Sequence, residues 1–161
     1  MFDGRFVERG DAEYEAARTD ALFNARRPSR YPAAVLEAGL GFAVDLDKAG
    51  GFIGRDAVVA AKAASPLTRR LVQVVVDDPE PLMFHAEVVR RDDRPVGYVR
   101  AASYGFTLGG AVGLVMIEAG EPINAGYLSS GTWDVEIAGC RYPARVSMRP
   151  LYDPDNLRIK A

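Results

Sequence analysis

A series of short β-type segments separated by turn residues restricts the fold of this chain more than any other feature. Six segments share a high content of β-branched and apolar residues: 70–76, 87–91, 95–100, 107–117, 132–137 and 141–146. Asp92-Asp93 is a turn between the second and third segments, and Ala138-Gly139 joins the last two as a hairpin. Because closure removes unpaired sheet edges, the pattern predicts a mostly β fold: a small six-stranded antiparallel, Greek-key β-barrel.

One or two short helices are expected before the barrel strands. Asp11 is a good helix N-cap, and the apolar spacing that follows predicts a helix ending near Asn24, before a stretch rich in proline and arginine. An alanine-rich segment over 56–64, stopped by Ser65-Pro66, predicts a second helix. The alternation in 42–46 predicts a further strand, followed by a glycine turn.

The chain is therefore divided into an N-terminal helix and extended arm over 1–36 and a barrel domain over 37–161. A chain of 161 residues with 48% hydrophobic and 26% charged residues is long and apolar enough to bury one such core.

Charge and rare residue types narrow the function classes. Twenty Lys and Arg against 22 Asp and Glu leave a net charge of −2, so no long-range field attracts nucleic acid or an anionic membrane. The single cysteine, Cys140, cannot close an intramolecular disulfide, and the single histidine, His85, cannot build a multi-histidine metal site. No targeting or membrane-spanning segment is evident, so a cytoplasmic location is expected.

No catalytic or metal-ligating residue is indicated by the motifs. Gly39-Leu40-Gly41 lacks the third glycine of a dinucleotide fingerprint, because Val44 stands in its place. Nothing in the sequence pairs His85 with Cys140 or with a serine, as nucleophilic catalysis requires. From the residues alone, the interpretation ends at a soluble barrel with an N-terminal helix.

Motifs spread from residue 37 onward add a resemblance to a known family. They are Glu37-Ala38-Gly39-Leu40-Gly41-Phe42, Phe52-Ile53-Gly54-Arg55, Val96-Gly97-Tyr98-Val99, Ala102-Ser103-Tyr104-Gly105 and Arg149-Pro150-Leu151-Tyr152-Asp153-Pro154. In this order they resemble the C-terminal barrel domain of the glycine-cleavage T-protein (aminomethyltransferase) superfamily, especially the form in sarcosine and dimethylglycine dehydrogenases.

The resemblance implies a folate-facing barrel in a one-carbon transfer or N-demethylation system. In that family tetrahydrofolate lies between N-terminal lobes and this barrel, and the catalytic aspartate belongs to the lobes. The implied partner is therefore a catalytic-lobe or flavoprotein dehydrogenase subunit, or a second copy of the chain. The implied folate-binding residues are Phe42 beside the pterin, Arg100 and Tyr104 at the mouth of the cleft, and Arg158, with Lys160, at the glutamate tail.

Residues 1–36 resemble a different family. Arg9-Gly10-Asp11 and Tyr31-Pro32-Ala33-Ala34-Val35-Leu36 are similar to the opening segment of FAD-linked oxidases of the berberine-bridge type. The histidine-bearing flavin loop of those oxidases does not follow, so FAD binding is not expected. Two alternatives stay open: a non-catalytic interaction barrel without ligand, and a fragment of a flavoprotein.

Overall fold

The computed structural model describes residues 35–160. A 3-10 turn, Gly41–Ala43, precedes helix α1, and a second short helix, α2, lies between the fourth and fifth of six strands. The bounds are α1 Arg55–Ala63, β1 Arg69–Val76, β2 Val88–Arg91, β3 Arg94–Gly105, β4 Gly110–Glu118, α2 Ala125–Ser130, β5 Trp133–Ile137 and β6 Cys140–Ser147.

The six strands close into an antiparallel barrel in the order β1-β4-β3-β2-β5-β6. Strands β2, β3 and β4 are joined in sequence by hairpins. Strand β1 is joined to β2 by a long connection, but it pairs with β4. This order of three hairpin-linked strands with the fourth beside the far strand is the Greek-key arrangement. The predicted barrel is confirmed.

Both predicted turns adopt the backbone conformation that tight hairpins need. Asp92 and Asp93 have φ values of 49° and 66°, and Ala138 and Gly139 have 50° and 81°. Positive φ at both central residues matches the twist of the flanking strands. The first turn is also held by Thr132, whose N–H donates to Asp92 Oδ1 at 2.9 Å.

Valine dominates the barrel interior. Alternate positions of β1 place Val72, Val74 and Val76 inside, where each is at most 1% exposed. Further residues that are almost fully buried complete this core: Val89, Val99, Val115, Ile117 and Val135. Each such side chain contributes about 1.5–3 kcal/mol to folding through burial, so this core is the main source of the barrel's stability.

Two predictions about local structure are wrong. The strand expected over 42–46 is absent, because the N–H groups of Ala43 and Val44 donate to Leu40 and Gly41 and so close a local 3-10 turn instead of a ladder. The strand expected from 107 begins at Gly110, since residues 107–109 form the turn.

The helix predicted over 56–64 is confirmed as α1, and α2 was missed. The N-cap of α2 is Asn124, whose side chain accepts a hydrogen bond from Tyr127 N–H at 2.9 Å. The predicted helix ending near Asn24, and most of the arm over 1–36, lie outside the described residues, and the domain division at 37 stays a prediction. No helix within residues 35–160 is long and apolar enough to cross a membrane.

The outer wall of the barrel differs between its two sides. Over β2, β5 and β6 it carries ion pairs, such as Arg90 with Glu136 at 2.7 Å and Arg145 with Asp77 at 2.7 Å. Over β1, β4 and β3 the outer wall is mostly apolar. There the outward-facing residues of β1 pair with outward-facing residues of β4: Leu71 with Met116, Gln73 with Leu114, and Val75 with Val112. The apolar side carries a concave surface.

Candidate functional site

A groove of about 520 Å³ lies on this apolar outer wall. Three residues on neighbouring strands form its floor. Leu114 of β4 pairs with Gln73 of β1 on one side and with Ala101 of β3 on the other. These positions face outward because the flanking Val72 and Val74 face the core. One end of the groove is the turn between β3 and β4, and one side is the C-terminal tail.

Gln73 fixes the tail against the barrel. Its side-chain oxygen accepts a hydrogen bond from the Leu151 N–H at 3.0 Å, in a partly buried position. This contact holds Pro150 and Tyr152, the residues on either side, at the groove wall. The tail side of the groove therefore depends on this hydrogen bond.

Aromatic rings stand on both walls. Tyr104, from the end of β3, and Tyr152, from the tail, both line the groove. Phe106, which is 90% exposed, packs edge-on against Tyr104 with ring centroids 5.1 Å apart. The Arg158 guanidinium lies 5.7 Å from the Tyr152 ring centroid, within range of a cation–π contact.

The tail is also braced internally. Asp153 accepts hydrogen bonds from the N–H groups of Leu157 and Arg158, at 2.8 and 3.1 Å. Arg149 bonds Asp155 at 2.6 Å. These contacts fold residues 149–158 into a compact turn, which places the exposed Arg158 beside Tyr152.

The four residues predicted to bind folate do not share one surface. Tyr104 lines the groove. Arg158 does not line it, but its guanidinium lies beside the ring of Tyr152, which does. Arg100 is the extra residue where the pairing of β3 with β4 shifts register; its guanidinium lies 3.7 Å from the Tyr98 ring centroid and donates to the Tyr98 hydroxyl. Phe42 lies in a separate hollow.

Sequence reasoning missed two residues of this groove. Gln73 sits in a β-branched run as the lone polar side chain of 71–76, and that interruption was the available signal. Tyr152 was quoted only as part of a family motif. The remaining polar lining is Ser103, so the groove combines an apolar, aromatic surface with few hydrogen-bonding groups, as small-molecule sites usually do.

The opposite end of the barrel holds the one described group with a clearly shifted pKa. Burial raises the pKa of Tyr127 above its ordinary value, while the neighbouring Arg91 guanidinium acts in the opposite direction. Arg91 lies 4.1 Å from the Tyr127 ring centroid, and its Nε donates to the Tyr127 carbonyl oxygen at 3.2 Å. This cluster fastens α2 to the barrel and does not reach the groove. Residues 35–160 contain no group of three or more acidic, histidine or cysteine side chains placed to hold a metal ion.

Comparison with known proteins identifies the barrel. Residues 69–153 match the family model described as the glycine cleavage T-protein C-terminal barrel domain. The chain is 41% identical over 123 residues to the 4-methylaminobutanoate oxidase (formaldehyde-forming) of Paenarthrobacter nicotinovorans, which covers 76% of this chain and 14% of that protein. It is 35% identical over 136 residues to the mitochondrial sarcosine dehydrogenase of Mus musculus, covering 83% and 14%.

Aminomethyltransferases are also similar. The protein of that name from Synechococcus elongatus is 37% identical over 123 residues, covering 76% of this chain and 31% of its own length. A crystal structure of the glycine cleavage system aminomethyltransferase T from Bartonella henselae shares the fold with a TM-score of 0.58 at 18% identity, over 74% of this chain and 32% of that one. The chain thus spans 14% to 31% of the length of these curated relatives.

Proposed function

Because the chain belongs to the glycine cleavage T-protein C-terminal barrel family, we propose that it forms the folate-facing wall of a one-carbon transfer or N-demethylation system. Tetrahydrofolate is the proposed cofactor, and the catalytic lobes come from a partner polypeptide. The barrel itself supplies no catalytic residue. Its work is to bind and orient the folate and to keep water from it.

The groove between β3, β4 and the C-terminal tail is the observation that carries this proposal. Its volume of about 520 Å³ falls within the usual range for ligand pockets. Tyr104 and Tyr152 give it two aromatic walls suited to the flat rings of a folate. The residues that line the groove include no Asp, Glu, Lys or Arg, so a ligand there meets little competing charge.

Each polar group in the groove has a proposed task. Ser103 and Gln73 supply hydrogen bonds to ring nitrogens or carbonyl oxygens of the ligand. Arg158 pairs with a carboxylate of the glutamate moiety, and Tyr152 holds its guanidinium in place. When bound, tetrahydrofolate accepts the one-carbon unit; the barrel holds the ring system while donor chemistry takes place at the lobes.

Calorimetric titration of tetrahydrofolate into the 161-residue chain, alone and with a candidate lobe-bearing partner, tests the proposal. We expect saturable binding that Tyr104→Ala weakens about fivefold or more, since a lost aromatic contact costs about 0.5–1.5 kcal/mol beyond buried area. Phe84→Ala is the matched control, because Phe84 is 66% exposed and does not line the groove. Absence of binding at about millimolar ligand, with and without partner, would overturn the proposal.

A second function, a protein-interaction barrel without ligand, is favoured by a different observation. Leu82, Phe84 and Phe106 are 53%, 66% and 90% exposed on loops at one end of the barrel, and exposed apolar clusters mark interaction sites. Size-exclusion chromatography with light scattering tests it: association that Phe106→Ser abolishes would support this function, and strictly monomeric elution would count against self-association.

A further inference from the structure

A second concave surface lies apart from the groove and shares no lining residue with it. It is a hollow of about 320 Å³ between the 3-10 turn, the C-terminal end of α1 and the beginning of β1. The side chains that line it include Phe42, Lys62, Ser65 and Arg70. The proposed folate groove does not account for any of them.

Two cations of this hollow have no acidic partner among residues 35–160. Seven other arginines in residues 35–160 are each within 4.0 Å of a carboxylate oxygen: Arg55, Arg69, Arg90, Arg91, Arg141, Arg145 and Arg149. Among those same residues, Lys62 and Arg70 form no ion pair, although both line one hollow. The carbonyl groups at the end of α1 offset about half an elementary charge. Two full positive charges therefore leave the hollow cationic.

An aromatic ring borders the same hollow. Phe42 is 88% exposed, so its ring is open to a ligand in the hollow. The Ser65 hydroxyl, at the end of α1, adds a hydrogen-bond donor near the two cations. The hollow thus offers charge, one hydroxyl and a ring face together.

We infer that this hollow binds an organic anion that carries a flat ring, with the anionic group at Lys62 and Arg70 and the ring against Phe42. A phosphate and a carboxylate provide the same recognition chemistry, so a nucleotide and the tail of a folate are two sources of one ligand class. The inference does not depend on the proposed folate groove, because it uses none of the groove's residues.

Adenosine monophosphate and p-aminobenzoylglutamate, each titrated into the full chain by ligand-observed NMR, distinguish the two sources. We expect at least one to bind, with the affinity falling about tenfold in the double variant Lys62→Gln/Arg70→Gln, since each exposed ion pair accounts for a factor of up to about five. Inorganic phosphate, which has no ring, is titrated for comparison. Phe42→Ala should lower the affinity for whichever ring-bearing probe binds and leave the affinity for inorganic phosphate unchanged. Added salt should weaken all binding.

Arg94→Gln is the matched control, because Arg94 is exposed, does not line the hollow and also forms no ion pair within residues 35–160. Lys62→Arg keeps the charge and should preserve binding, which separates recognition from a folding defect. Failure of both probes to saturate at about 10 mM, or binding unchanged in the double variant, would overturn the inference. Tyr104→Ala serves as the cross-check, because Tyr104 lines the groove and not this hollow: the variant should weaken tetrahydrofolate binding at the groove and leave the affinity of the hollow for both probes unchanged.

Discussion

Gln73 connects the barrel to the tail, and its replacement should open the groove without unfolding the protein. In Gln73→Met the side chain keeps its length but loses the oxygen that accepts the Leu151 N–H at 3.0 Å. The tail makes one wall of the groove, so the variant separates tail docking from barrel stability.

The expected magnitude follows from that single hydrogen bond. Its net loss costs about 1 kcal/mol, and a Leu151 N–H left buried without a partner costs about 1–3 kcal/mol. Since 1.4 kcal/mol is a factor of ten, the undocked population should rise at least about fivefold. Ligand affinity at the groove should also fall, because fewer tails are docked and because the proposed hydrogen bond from Gln73 to the ligand is lost.

Native-state hydrogen exchange measures this directly. Exchange of the Leu151 amide should accelerate at least about fivefold in Gln73→Met, while the Val115 amide, inside the barrel, keeps its protection. Gln73→Glu retains an acceptor at the same position and should exchange like the wild type. Unchanged exchange at Leu151, or equal acceleration at Val115, would refute the reasoning.

Three further predictions concern stability. Gly97→Ala should destabilise the barrel by about 1–3 kcal/mol in urea unfolding, because the new Cβ would lie 2.3 Å from the Met116 carbonyl oxygen; Gly120→Ala, which meets nothing within 4 Å, should change stability little. Val115→Ala, at a site that is 0% exposed, should cost about 2 kcal/mol, and a cost near zero would contradict close packing. Burial raises the pKa of Tyr127, so its contribution is fully present below the unfolded pKa near 10 and is lost as pH rises through the folded pKa. Alkaline unfolding should therefore be less pH-dependent in Tyr127→Phe.

The strands and their turns were predictable because their causes are local. A β-branched run such as 70–76 packs well only on a pleated surface, and Asp92-Asp93 tolerates the positive φ of a two-residue turn. The same local rule failed for 42–46, where alternation was present but no neighbouring strand was available to pair with it. Alternation predicts which face a residue takes, and pairing decides whether a strand forms at all.

The resemblance to the T-protein barrel was also carried by the sequence, and the family match over residues 69–153 confirms it. The residues that the resemblance assigns to one folate lie on different surfaces. Phe42 and Tyr104 were both expected beside one folate, yet they line different concave surfaces. The register shift at Arg100 separates that residue from Tyr104 in a way that residue spacing does not reveal.

The sequence by itself determined the six strands, the tight turns and the closed barrel, because side-chain period and turn chemistry act between near neighbours. Only the tertiary structure decided the groove, since it joins Gln73, Ser103 and Tyr152 from three distant parts of the chain. It likewise placed Lys62 and Arg70 in one hollow, where neither forms an ion pair within residues 35–160. Both sites are formed by residues that are distant in sequence and are brought together by strand pairing, loop packing or tail docking. Such long-range contacts produce no periodic pattern in the sequence, so sequence analysis does not reveal them.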